Sequence, residues 1–165
     1  MEALEQLLQK PEVRSWVPED WEQVRDLSVG RMQRSPLPAE IRIRWGAVAL
    51  SAISRKYADG QPQQAVADMT RVRAYMIAKF GVSDTDVDRD LSALCSDVLR
   101  HLGLSYEAAV RLAGEWPGAS RKQMLHLRRI KNMLTALAPV RALLDDDDPD
   151  VRETLVWLDL VPRLP

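Results

Sequence analysis

Cysteine is almost missing from this chain. Cys95 stands alone, which excludes an internal disulfide and any zinc site built on paired thiolates. Histidine is nearly as scarce: only His101 and His126 are present, and neither is spaced from the other or from Cys95 as a metal set. No long apolar run exists. The longest charge-free stretch, between Arg44 and Arg55, has ten residues, about half of the ~20 needed to span a bilayer. A secretory leader is not expected either, because Met1-Glu2-Ala3-Leu4-Glu5 carries acids where a signal needs basic residues followed by an apolar core; the expected location is cytoplasmic. An excess of one charge sign is lacking too, with 23 Lys and Arg against 24 Asp and Glu, so nothing global favours nucleic acid or anionic membrane. The catalytic signatures G-x-S-x-G, G-x-x-x-x-G-K and H-E-x-x-H are all absent. Cys95 falls within an apolar helical stripe and reads as a small buried hydrophobe, so no enzyme, cofactor or metal site is expected.

What the chain does have is helical periodicity. Its 165 residues, 46% hydrophobic and 28% charged, match one folded domain that buries roughly 70% of its unfolded surface. The expected fold is all-α: a single compact bundle of about seven to eight helices over 1–165, with no significant sheet. Residues 1–36 would hold peripheral N-terminal helices and 39–161 the main bundle. Pro18-Glu19-Asp20 opens one helix, with proline early and acids where the dipole favours them. The segment from Ala39 to about Tyr57 is apolar nearly all round in its middle, as an interior helix is. Ala65 to Phe80 follows, stopped by Gly81. Ser83 opens a helix to about Leu102 whose stripe is Val87, Leu91, Leu94, Cys95, Val98, Leu99 and Leu102. Ser105 caps a shorter helix. A long one from Ser120 to about Leu144 turns Met124, Leu127, Ile130, Leu134 and Leu137 inward, with Pro139 expected to kink or split it. A last helix carries Val151, Leu155 and Leu158.

The segment Met76 to Leu91 resembles the turn and second helix of the helix-turn-helix in DeoR-like and other winged repressors, with Gly81 at the turn, Val82-Ser83 after it and Thr85-Asp86-Val87-Asp88-Arg89-Asp90-Leu91 as T-D-V-x-R-D-L. The resemblance covers sixteen residues and implies a DNA-reading helix pair over about 69–95. It departs from the pattern at Ile77, where a small alanine is usual. It also places Asp84, Asp86, Asp88 and Asp90 where a reading helix would present cations or amides to DNA. Asp84, Asp86 and Asp88 suit the first, third and fifth places of a calcium loop, but Arg89 replaces the glycine of the sixth and Cys95 the glutamate of the twelfth. A capped helix N-terminus accounts for these acids without metal.

Charge is segregated locally. From Arg111 through Arg141 there are seven basic residues and one acid. Within this zone Arg121, Lys122, Arg128, Arg129 and Lys131 form a candidate basic contact surface, together with His126. Asp145, Asp146, Asp147, Asp148 and Asp150 form a candidate acidic one, able to dock a basic partner or to pair with the basic zone within the chain or between copies. Trp16 and Trp21, flanking Pro18, are candidate partner anchors. The expectation is a non-enzymatic interaction protein, an adaptor, assembly or regulatory subunit, acting through charge-segregated helix surfaces on a protein partner or a second copy. The alternative is a DNA-binding regulator using 69–95 with the basic helix 120–131 on phosphates; an enzyme of helical-bundle type is the third class.

Overall fold

A computed structural model of the chain describes residues 16–34, 36–81, 91–115, 118–145 and 147–165. Every regular element among them is helical: α1 (Pro18–Gln33), α2 (Ala39–Lys56), α3 (Pro62–Phe80), α4 (Leu91–His101), α5 (Tyr106–Gly114), α6 (Arg121–Thr135) and α7 (Pro149–Leu160), with short 3-10 turns at Ala138–Leu143 and Val161–Arg163. The all-α class expected from periodicity is what the chain adopts. By contact density it divides into two units, Met1–Gln61 and Pro62–Pro165. The first fifteen residues, expected to hold part of the N-terminal helices, and the opening of the 83–102 helix with its four aspartates lie outside the described residues.

In the first unit α1 and α2 form a helical hairpin across the Pro36–Pro38 break. Their antiparallel sense follows from the side-chain bonds. Near the turn, Arg42 Nε donates to the Met32 carbonyl at 2.7 Å; at the far end, Lys56 Nζ meets Glu22 Oε1 at 2.8 Å. Arg42 is buried, and it answers two needs together, because the last carbonyls of α1 lack helical partners and attract a cation. α1 starts as its sequence dictates: Pro18 needs no N–H there, and Asp20 accepts from the Val17 N–H at 3.0 Å. Trp21, Val24 and Ala52 make the inter-helix core. α2 buries Trp45, Gly46, Ala49, Leu50, Ala52 and Ile53 and exposes Ser51, so most of its circumference is covered.

The second unit is organised around α6. Leu127, Ile130, Met133 and Leu134 are wholly buried and recur at helical spacing; Leu137 and Val140 continue the same face past the helix end. α6 packs on α3, α5 and α7. The expected stripe of α4 is also inside, with Leu94, Cys95, Val98 and Leu102 buried. Each such side chain contributes roughly 1.5–3 kcal/mol by leaving water. Pro139 acts as expected: α6 ends at Thr135 and the chain continues as a 3-10 turn. Tyr106 and Trp157 close the core edge to face, with ring centroids 5.3 Å apart.

Candidate functional site

Within the second unit, α5, α6 and the turn after α4 enclose an open groove of about 620 Å³. It is built from local rules. α4 ends at His101, and Gly103 adopts φ +71°, the left-handed turn that glycine takes without strain after a helix. Gln63 Nε2 donates to the His101 carbonyl at 2.8 Å and so ties that turn to the start of α3. Ser105 then caps α5, its hydroxyl accepting from the Ala108 N–H at 3.3 Å. α5 turns Ala109 and Ala113 toward the core, small residues that let it lie close to α6. α6 opens with a reciprocal capping box: Gln123 Oε1 accepts from the Ser120 N–H at 2.8 Å, and Ser120 Oγ accepts from the Gln123 N–H at 3.3 Å.

The helical period divides α6 into faces. Arg121, Leu125 and Arg129 follow at i, i+4 and i+8, with Lys122 and His126 one place on; this stripe lines the groove beside the core-facing stripe. Leu104 and Leu112 supply its opposite apolar wall. The His126 ring lies against Gly103, so close that a Cβ added to the glycine would stand 3.2 Å from His126 Cε1. His126 Nε2 is buried there without a hydrogen-bond partner. Leu125 is 44% exposed. Arg121, Lys122 and Arg129 are exposed, and among the described residues no carboxylate pairs with them. Four cations elsewhere are ion-paired, Arg25 with Glu22 and Asp26, Lys56 with Glu22, Arg71 with Asp68 and Arg141 with Asp159, while others such as Arg34, Arg44, Lys79 and Arg111 are, like those of the groove, without an ion pair to a described residue.

The five basic residues singled out in the sequence therefore do not share one surface. Arg121, Lys122 and Arg129 converge on the groove. Arg128 is exposed at the edge of this face and does not line it. Lys131 projects on the other side of α6, half-buried, and its ammonium donates to the Leu164 carbonyl at 2.8 Å, fastening the C-terminal turn.

The acidic run separates too. Asp148 is the N-cap of α7: Oδ1 accepts from the N–H groups of Asp150 at 2.8 Å and Val151 at 3.1 Å, and Oδ2 accepts from Ser92 Oγ at 2.9 Å. The Val151 N–H first, then the Ser92 hydroxyl, hold this carboxyl below its ordinary pKa. Asp145 and Asp147 are exposed, Asp150 is half-buried, and Asp146 lies outside the described residues. None of the described aspartates of this run pairs with the basic face of α6. In the first unit Trp21 is 5% exposed, with Trp16 tilted against it at 4.9 Å and the Arg55 guanidinium 5.0 Å above its ring. Trp21 is an anchor between α1 and α2, with almost no surface left for a partner.

Leu104, Leu112, Gln123 and Leu125 were not singled out from the sequence, whereas Gly103 was legible as the stop of the helix ending near Leu102. The S-x-x-Q box at Ser120–Gln123 and the misplaced Leu125 beside two arginines were its available signals. Comparison with protein-family models, with curated proteins and with solved structures found no match to this chain. No helix among the described residues is long and apolar enough to cross a membrane, and no group of metal-ligating side chains converges there.

Proposed function

We propose that this chain is a non-enzymatic interaction module whose α5–α6 groove docks an acidic, apolar segment of a protein partner. The observation that carries this reading is the pairing of an apolar groove, with a half-exposed leucine on its α6 side, and three cations with no ion pair to a carboxylate among the described residues. A helix or extended segment with leucines on one face and carboxylates beside them matches both features. Nucleic acid is the weaker match. Binding of single strands relies on aromatic platforms, and the groove lining includes no Phe, Tyr or Trp. A membrane surface favours a convex apolar face, whereas this one is concave.

The test uses a fluorescein-labelled amphipathic peptide rich in Leu, Asp and Glu, titrated with the full chain at about 50 mM salt and read by polarisation. Binding is expected, weakening as salt rises through the Debye-screening range. Arg121→Glu with Arg129→Glu should weaken it at least about tenfold, the equivalent of ~1.4 kcal/mol from two reversed rim charges. A chain that ignores this peptide, or that binds mixed-sequence DNA more tightly than the peptide at the same salt, overturns the reading.

A further inference from the structure

We propose that Gln61 and Gln63 form a tensioned latch on the lip of the α5–α6 groove, so that the backbone of the joint before α3 regulates how readily the groove receives its segment. The inference rests on the reading of the groove as a docking site and adds the device that controls it. Gln61 is the one non-glycine residue with positive φ among the described residues, at +62°. Such a conformation is uncommon for glutamine, which lacks the short side chain that lets asparagine or aspartate bond locally there. Gln61 also precedes Pro62, whose ring biases the residue before it toward extended backbone. The intrinsic preference at this position is therefore extended over left-handed, by roughly tenfold.

Two fastenings oppose that preference. On the near side, the Ala58 N–H donates to the Arg55 carbonyl at 3.3 Å and the Gly60 N–H to the Tyr57 carbonyl at 3.2 Å, so the chain stays wound onto the end of α2 up to the residue before Gln61. On the far side, Pro62 is already the first residue of α3, and Gln63 Nε2 next to it donates to the His101 carbonyl at 2.8 Å, with the Leu102 carbonyl at 3.5 Å. Gln61 alone lies between the two. The carbonyls that Gln63 serves end α4, where helical partners run out, and they stand directly before Gly103. The Gln63 amide borders that glycine together with the His126 ring: a Cβ added to Gly103 would lie 3.4 Å from Gln63 Nε2. A residue held in a costly conformation between two fastenings relaxes when either gives way. When the Gln63 bond breaks, the first turn of α3 can follow Gln61 into the extended region, and the lip loses its tie. An occupant that needs the lip in place works against this release and draws the latch shut.

Amide hydrogen exchange of the full chain, read at Leu102, tests the latch, because the Leu102 N–H donates to the Leu99 carbonyl at 3.3 Å in the turn that Gln63 fastens. Gln61→Gly removes the left-handed cost and should slow exchange at Leu102 about threefold or more, the freedom of glycine in the released state cancelling part of the gain. Gln61→Val, branched and ill suited to positive φ, should speed it. Gln61 is exposed, so neither change touches the core. In a Gln63→Ala background exchange at Leu102 should be fast whichever residue occupies position 61, since the joint has already relaxed. Exchange at the wild-type rate in Gln61→Gly, or the same slowing with and without Gln63, overturns the inference. The fluorescein-labelled acidic peptide, at about ten times its dissociation constant, should slow Leu102 exchange in the wild type about tenfold. Peptide that binds without slowing Leu102 overturns the latch and leaves the groove reading standing. Exchange that follows the variants as expected, in a chain that binds no peptide, supports the latch and overturns the groove reading.

Discussion

Gly103→Ala tests whether the lip of the groove is held by backbone conformation and by the His126 ring together. At φ +71° an L-residue pays the left-handed penalty of about 1–2 kcal/mol, offset in part by ~0.4–1 kcal/mol from the stiffer unfolded chain. The added methyl then stands 3.2 Å from His126 Cε1 and 3.4 Å from Gln63 Nε2, so the imidazole must shift by a few tenths of an ångström. The ring packs against the turn on one side and lines the groove on the other. A coupling of about 0.5 kcal/mol between the two positions is therefore expected, at the lower end for residues in contact. The net cost of Gly103→Ala comes to about 0.5–2 kcal/mol, read as a shift in the urea midpoint followed by circular dichroism. The same substitution in a His126→Ala background should cost less by the coupling energy. An equal cost in both backgrounds would refute the claim that His126 closes the turn. A Gly103→Ala chain as stable as the wild type would refute the left-handed turn itself.

Asp148 contributes through its charged form, since its folded pKa lies below the ordinary value. Its stabilisation is present above that ordinary value and is lost as pH falls through the lowered one, so acid unfolding monitored below about pH 4 should lose part of its slope in Asp148→Asn. Glu22 behaves in the same sense: the hydrogen bond and charge of Lys56, with the charge of Arg25, hold its carboxyl low, and Glu22→Gln should flatten the acid limb over the same window. Cys95 is wholly buried, so a thiol reagent should label the native chain only at the opening rate and label it at once in denaturant. Fast native labelling would place the thiol outside the core.

The buried faces were legible in the sequence because one helix suffices to define them. Leu127, Ile130 and Leu134 repeat at the helical period, and their burial needs no knowledge of what covers them. The split at Pro139 and the stop at Gly81, which has φ +73°, are equally local. The groove was not legible. Leu112 and Leu125 face one space only because Ala109 and Ala113 bring α5 onto α6, and Gly103 closes it through a conformation that the sequence permits without requiring. Charge misled in a different way. Lys131 belongs with the basic run by sequence but is fastened to Leu164, 33 residues on, and Asp148 belongs with the acidic run but bonds Ser92, 56 residues back. For Asp148 a local sign existed: an aspartate before Pro149 is the pattern of an N-cap followed by proline in the first turn.

Near-neutrality of the whole chain therefore says little about any one surface. Glu22 serves both Arg25 and Lys56, and Asp148 is consumed by backbone N–H groups, so part of the acid total is already committed. The cations of the groove are not. Neutralising them within the fold would need a carboxylate delivered to the α5–α6 groove, and the free ones of the acidic run, Asp145 and Asp147, are carried past the other end of α6. An ion pair at an exposed site is worth at most about 1 kcal/mol, so folding loses little by leaving these charges apart. Binding gains more from them, because an occupant that covers Leu104, Leu112 and Leu125 also excludes water from the flanking charges.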